Sequence, residues 1–243
     1  MLYAISYPLQ PSDFNPAGVL RPYVLLKCLE DIAVKNASDN HFGVEEVLHQ
    51  QVAWVLLKYA MEFTDYPQGI TGLIIETESR GVNRLFATRD FVIKDDTGRQ
   101  LGRASSIWTV IDLNTKRMLN PQDVFKGCLP SIEKRPDDLK HAKIPAIADA
   151  AMAMPFDVQD ADIDMNQHVN NCTYINWAFA GLSETTATGK KLQSLSINYK
   201  KEVLKGESVT ALTQETEQGS VHSIKHAESG EELCIMSAQW VDC

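Results

Sequence analysis

Residues 160–181 read DADIDMNQHVNNCTYINWAFAG. Acids and amides crowd round a single histidine, and an apolar run follows at once. That order predicts a reactive loop held at the start of a buried helix. Asn170 or Asn171 is placed to serve as N-cap, its side-chain oxygen taking a free backbone N–H of the first turn. Tyr174, Trp177, Ala178 and Gly181 recur at helical spacing and give an apolar face with a small end. Asp164, Asn166 and His168 alternate, so an extended loop would bring them to one side. An acid, an amide and an imidazole on one side make an acid–base site. A satisfied structural histidine within a capping and turn network is the blander reading. So dense a polar cluster before a buried helix costs desolvation free energy unless fully hydrogen-bonded, which favours a functional role.

The flanking chain says what that loop is mounted on. Arg21 to Ala37 reads as a helix, with Val24, Leu25, Cys28, Leu29, Ile32 and Ala33 as its apolar stripe and Lys27, Glu30, Asp31 and Lys35 between them. Phe42 to Gln50 is a shorter second helix. From Trp54 the period changes to two, Val55, Leu57, Tyr59, Met61 and Phe63 alternating with Lys58, Ala60 and Glu62. Tyr66 to Gly69 is a turn, and strands follow at 73–80, 84–94 and 100–113, the last two joined by the hairpin turn Asp95-Asp96-Thr97-Gly98. Asn120 to Ala150 is proline-rich with mixed charge and suits a linker crossing the surface. Beyond it the order repeats: the helix after His168, a strand with Leu195, Ile197, Tyr199, Lys201 and Val203 on one face, then strands at 207–216, 221–228 and 232–241. DTGRQL in the first half matches ESGEEL in the second. Gly98 to Gly230 and Trp108 to Trp240 are each 132 positions apart. The predicted class is α+β, two lobes that each cup a helix in an antiparallel sheet. The boundaries are 1–120 for the first lobe, 121–150 for the linker and 151–243 for the second.

Composition excludes several classes. A chain of 243 residues with 44% hydrophobic residues can bury a sizeable core. A net charge of −9 argues against nucleic acid, whose phosphates attract basic surfaces. Five scattered cysteines (28, 128, 172, 234 and 243) show no paired spacing, which fits reduced thiols in a cytoplasmic protein. The start of the chain lacks a basic segment followed by a long apolar run, and no other run is long enough to span a bilayer.

Rival motifs fail on spacing. A calcium loop starting at Asp160 needs Gly at Met165 and Glu at Asn171. His168 and Cys172 lie one helical turn apart, but zinc needs more ligands than that. Cys172 as a nucleophile competes with the simpler reading of a small packing residue. Gly189-Lys190-Lys191 lacks the first glycine and the hydroxyl residue of a phosphate loop. No metal and no cofactor is expected.

Asp-Met-Asn-Gln-His-Val-Asn-Asn-x-x-Tyr-x-x-Trp at 164–177 resembles the hallmark segment of acyl-acyl-carrier-protein thioesterases. The likeness extends, in order, to Leu29-Glu30-Asp31-Ile32-Ala33, Trp54-Val55, Arg89-Asp90-Phe91 and Arg103-Ala104-Ser105-Ser106-Ile107-Trp108. Ile197-Asn198-Tyr199-Lys200-Lys201-Glu202 resembles the strand that supplies the family's later acid. The resemblance implies a tandem, double-hotdog architecture and a hydrolase that frees fatty acids from acyl carrier protein. Carried over, the family's active-site positions fall on Asp164, Asn166, His168 and Glu202. Some members have a cysteine just after that glutamate; here Val203 stands there, so a mechanism through that thiol is closed. Plant members begin with a plastid transit peptide that this chain lacks, which suggests a bacterial-type cytoplasmic enzyme.

On that reading Glu202 activates or orients a water, with His168 assisting. Asn166 and a backbone N–H at the helix start polarise the thioester carbonyl. Asp164 orients these groups or attacks directly through an anhydride. Glu202 also alternates with Ser196, Asn198 and Lys200 on a face that simple solvation would explain. The Trp54–Phe63 strand and the helix around Val24–Ala33 are candidates for the acyl-chain pocket, ordinary core being the alternative. The expected partner is acyl carrier protein with its phosphopantetheine-linked acyl chain, met by a local basic patch drawn from Arg80, Arg84, Arg89, Lys190, Lys191, Lys200, Lys201 and Lys205. No membrane partner is expected, and the assembly is a monomer or a homodimer. Acyl-CoA hydrolysis and non-catalytic acyl binding are the rival functions; the N-terminal matches favour carrier protein over CoA.

Overall fold

Hydrophobic periodicity alternates between helix and strand twice along this chain, and the fold follows it twice. The structure, a computed structural model, describes residues 3–147, 152–164, 166–217 and 219–243. The first series is β1 (Tyr3–Pro8), α1 (Pro22–Asp39), α2 (Val44–Gln50), β2 (Val52–Phe63), β3 (Gly72–Asn83), β4 (Phe86–Asp95) and β5 (Gln100–Asp112). Two short elements, β6 (Met118–Leu119) and α3 (Pro121–Val124), follow. The second series is β7 (Met152–Asp157), α4 (Thr173–Phe179), α5 (Glu184–Gly189), β8 (Lys190–Tyr199), β9 (Ser208–Glu215), β10 (Gly219–His226) and β11 (Glu232–Asp242). All pair into one sheet in the order β1-β3-β4-β5-β2-β8-β11-β10-β9-β7, with β6 on β5. Every pairing is antiparallel. This is the expected tandem hotdog, its halves joined where β2 meets β8 at Lys58/Asn198 through Glu62/Ser194.

Each helix forms because its apolar stripe has a sheet to face. Pro22 starts α1, where its missing N–H costs nothing. Leu25, Leu26, Leu29 and Ile32 are then at most 2% exposed, each contributing roughly 1.5–3 kcal/mol by burial. Tyr174, Trp177 and Ala178 of α4 are buried in the same continuous core.

The strands depart from simple alternation at one informative place. A bulge between Leu56 and Lys58 shifts the pairing of β2 with β5. One extra residue turns the following side chains over. Leu56 is therefore buried on one side of the bulge and Tyr59, Met61 and Phe63 beyond it, while Val55 and Leu57 are only half-buried. The short edge strands β1 and β7, and the small helix α5, carried no clear period and went unassigned from sequence.

The segment after β6 is fastened to the first lobe. Val82 pairs with Ser131 in a parallel bridge. The buried Arg80 guanidinium pairs with Asp90 and Asp138 and donates to the Glu133 carbonyl at 2.7 Å. Pro121, Phe125, Leu129 and Ile144 of the segment are themselves buried. Residues 148–150, at the end of the linker, and the first residue of the second lobe, 151, lie outside the described residues. Among the described residues no helix is long and apolar enough to cross a membrane.

Candidate active site

The acidic loop is a compact hairpin rather than an extended strand. A single 3-10 turn (Asp160–Asp162) precedes it, and Ile163 bridges Val169. Asp164 N donates to the His168 carbonyl at 2.8 Å, and Gln167 N donates to the Asp164 carbonyl at 3.1 Å. The reversal needs a left-handed residue, and Gln167 takes it at φ 66°. Met165 lies outside the described residues. Asp164 faces inward on its own loop: Oδ1 accepts from Asn166 N at 2.8 Å and His168 N at 3.3 Å, and Oδ2 accepts from Asn166 Nδ2 at 3.4 Å. Asp164, Asn166 and His168 thus come together through a turn, not through alternation.

Glu202 joins them from elsewhere. β8 ends at Tyr199, so Glu202 lies past the strand, in the connection to β9, and not on the strand as its alternation suggested. Val169 N donates to the Val203 carbonyl at 2.9 Å, and His168 bridges Leu204. These contacts align the two loops and leave His168 Nε2 3.2 Å from Glu202 Oε2. Both are open to solvent, 31% and 57% by side chain. Tyr174 anchors the assembly from below, its hydroxyl donating to the Lys201 carbonyl at 3.3 Å, and the Tyr199 hydroxyl donates to the Asn171 carbonyl at 3.1 Å.

The helix start differs from expectation in detail. α4 has Cys172 as N-cap, with no side-chain cap of its own. Asn170 instead caps the turn before it, Oδ1 accepting from Cys172 N at 2.8 Å. His168 and Cys172 turn to different partners, Glu202 and Glu30. Burial, then the nearby Glu30 carboxylate, pushes the Cys172 thiol far above its ordinary range. A thiol that stays protonated is no nucleophile.

The first lobe carries the same loop without its chemistry. Gln10 N donates to Asp13 Oδ2 at 2.7 Å as Gln159 N donates to Asp162 Oδ2 at 2.9 Å. Asn15 Oδ1 accepts from Ala17 N and Val19 N, both at 3.0 Å, which is the pattern Asp164 makes with Asn166 and His168. Ala17 and Val19 therefore stand where the second lobe has Asn166 and His168. Asn15 and Asp164 are 149 positions apart, against 132 for the later strands. The first lobe is the longer by the difference, most of it in α1, which has 18 residues against 7 in α4.

Of the cations expected to form a basic patch, two are unsuitable. Arg89 is 6% exposed and donates to Asn36 Oδ1 and Thr77 Oγ1 at 2.8 and 3.1 Å; Arg80 is held beneath the linker. Lys200, Lys201 and Lys205 are exposed in the chain around Glu202, paired with Glu232, Glu231 and Asp160.

One residue was passed over. Glu30 of α1 was read as an ordinary charge between apolar positions. Its carboxylate reaches across to the second lobe and accepts from Cys172 Sγ at 3.4 Å. Its neighbours one turn away on either side, Leu26 and Ala33, are both buried, so Glu30 stands at the edge of the helix's apolar face.

Comparison with known proteins gives a family match in each half of the chain. The profile of the acyl-ACP thioesterase N-terminal domain matches residues 1–126, and that of the acyl-ACP thioesterase C-terminal domain matches 146–242. Oleoyl-acyl carrier protein thioesterase 1, chloroplastic, of Arabidopsis thaliana is 32% identical over 178 residues, covering 68% of this chain and 49% of that protein. The chain spans about half the length of the curated relatives it matches, 49% and 60% for two from Arabidopsis thaliana. The crystal structure of an acyl-ACP thioesterase from Bacteroides thetaiotaomicron superposes with a TM-score of 0.86 at 24% identity, covering 99% of this chain and 98% of that one. A 12:0-ACP thioesterase from Umbellularia californica gives a TM-score of 0.86 at 17% identity, covering 100% and 98%. These two solved structures share the fold.

Proposed function

The chain belongs to the acyl-ACP thioesterase family, and from that membership we propose that it hydrolyses fatty acyl-acyl carrier protein, releasing the free fatty acid in fatty acid biosynthesis. The observation that carries the reading is the His168 Nε2 to Glu202 Oε2 approach of 3.2 Å beside the Asp164–Asn166 turn. Glu202, with His168 against it, takes a proton from a water whose oxygen attacks the thioester carbon. Charge develops on the former carbonyl oxygen and is met by the Asn166 side-chain amide. Collapse of the tetrahedral intermediate breaks the carbon–sulfur bond. The proton held by the His168–Glu202 pair passes to the departing phosphopantetheine sulfur, leaving a carboxylic acid and a thiol. Asp164 orients the loop and stays out of the covalent chemistry, because its oxygens are engaged by the groups it positions.

The two lobes divide the work in this reading. The second carries the reacting groups, and the first lobe's core around α1 and β2 receives the acyl chain. Lys201 and Lys205, exposed beside Glu202, are suited to the anionic carrier despite a net charge of −9. Free cysteines accord with a reducing compartment such as the cytoplasm. The decisive experiment assays purified protein on acyl-carrier-protein and acyl-CoA substrates of graded chain length. Release of free acid with kcat/KM favouring carrier protein is expected. A preference for CoA esters would redirect the assignment to acyl-CoA hydrolysis, and no hydrolysis of any substrate would end the enzymatic reading.

A further inference from the structure

The reacting loop sits on the second lobe, yet one acid from the first lobe reaches its base. Glu30 lies midway along α1, and its Oε2 accepts from Cys172 Sγ at 3.4 Å. The Asn170 side chain and the Asp164 carboxylate lie near enough to bear on the same carboxyl, Asn170 favouring its charged form and Asp164 opposing it. Asn170 is the joint between the two halves of the site. Its backbone N–H donates to the Asp162 carbonyl at 2.8 Å, its Oδ1 accepts from Cys172 N at 2.8 Å, and its carbonyl accepts from Thr173 N at 2.9 Å. Asn170 thus fixes both the exit of the hairpin that bears His168 and the entry to α4.

We propose that Glu30 is a positioning residue for catalysis: by holding Cys172, and through its backbone N–H the Asn170 side chain, across the lobe boundary, it sets the orientation of the His168 hairpin toward Glu202. The inference rests on the thioesterase reading for its kinetic consequence, although the contact itself does not. Burial raises the Glu30 carboxyl above its ordinary range, and the hydrogen bond from Cys172 only partly offsets it. A half-buried carboxyl is costly to keep, and a residue selected for packing alone would be apolar. The link also answers why the first-lobe helix matters to chemistry on the second. With α1 anchored by Leu29 and Ile32, fully buried on the same helix, Glu30 offers a rigid point of attachment.

Glu30→Met and Glu30→Gln separate positioning from packing. Met keeps the length and suits the apolar setting but accepts no strong hydrogen bond; Gln keeps an acceptor oxygen and loses the charge. Three quantities are measured for each: Tm, kcat and KM on oleoyl- and palmitoyl-acyl carrier protein, and the backbone amide and His168 ring signals by NMR. Positioning predicts that Glu30→Met holds or raises Tm while kcat falls roughly 10- to 100-fold with KM within about threefold. It also predicts shifted amides at Asn170–Cys172 and shifted His168 ring signals, with Glu30→Gln close to wild type in all three. The proposal is overturned if Glu30→Met keeps its kcat, if Tm and kcat fall together in both variants, or if the loop signals stay in place. Should wild-type protein hydrolyse no acyl thioester, the functional reading fails, while the amide and His168 signals still decide whether Glu30 positions the loop.

Discussion

His168 Nε2 and Glu202 Oε2 stand 3.2 Å apart on two loops that meet through a backbone contact between Val169 and Val203. Neither side chain holds the other in place; the backbone does. Removing either side chain should therefore cost activity far more than stability. His168→Ala and Glu202→Ala are each expected to lower kcat by roughly 10²- to 10⁴-fold, with Tm within about 3 °C of wild type. The double variant should lose little more than the worse single one, since the pair acts as a unit. Near wild-type turnover in either folded single variant would sink the mechanism.

Asp164 invites a sharper question, because a carboxylate in an active loop can orient or attack. The first-lobe copy argues for orientation: Asn15 makes the same two backbone contacts with an amide oxygen. Asp164→Asn keeps that oxygen and should retain at least about a tenth of wild-type kcat. Asp164→Ala loses the turn and should fall by about 10²-fold, with a stability loss near 1 kcal/mol. Complete inactivity of Asp164→Asn, together with solvent ¹⁸O appearing in its carboxyl in wild type, would instead favour attack through an anhydride.

The buried His222 sets an acid limit on stability. It is fully buried, its Nδ1 3.0 Å from Thr213 Oγ1 and its Nε2 2.8 Å from Ser220 Oγ, and burial lowers its pKa from 6.5 to about 4. A depressed histidine binds its proton in the unfolded chain before the folded one. Stability is thus fully present above pH 6.5 and is lost as pH falls toward 4, by roughly 3 kcal/mol over that window. His141, on the linker against Ser105, is also lowered to about 4 by burial and acts in the same direction. Thermal melts across pH 4–7.5 should show a shallower acid slope in His222→Gln. An unchanged slope would mean that His222 is not the group responsible.

How much of this could be read from the chain depends on which physical signal each feature leaves. α1, β2 to β5 and β8 to β11 have long apolar periods because a buried face must repeat. The duplication was legible because both lobes solve the same packing problem with the same order of elements. β1 and β7, at the sheet's edges, have one hydrogen-bonded neighbour each and leave little pattern. Of the residues proposed for the site, Asp164, Asn166 and His168 are legible together because they share one turn. Glu202 enters only by resemblance, since alternation puts it on a solvated face of a strand that in fact ends at Tyr199. Glu30 leaves no local signal because its contact, Cys172, lies 142 positions away in the chain. Local periodicity records which face is buried; it does not record what a charge at the edge of that face touches.

The cations provide the last discrimination, between charge that holds the fold and charge that meets a partner. Arg80 is 4% exposed by side chain and bound to Asp90, Asp138 and the Glu133 carbonyl. Arg80→Met removes the ion pair of both acids, but Asp138 keeps its hydrogen bond from Arg135 N, and each acid is about one-third exposed and can rehydrate. The cost should therefore stay below that of a fully buried pair, at about 2 kcal/mol, or roughly 4–8 °C in Tm. KM for acyl carrier protein should not change. Lys201 and Lys205 are 57% and 64% exposed beside Glu202, in pairs with Glu231 and Asp160 that add little to stability. Reversing both to Glu should leave Tm within about 2 °C. KM for acyl carrier protein should rise about tenfold, with the effect shrinking as salt is added. An uncharged acyl-pantetheine ester of the same chain length reports the chemistry without the carrier, and its hydrolysis should be unaffected. A parallel loss on both substrates would mean that the two lysines serve the reacting loop itself, and the docking face would then lie elsewhere.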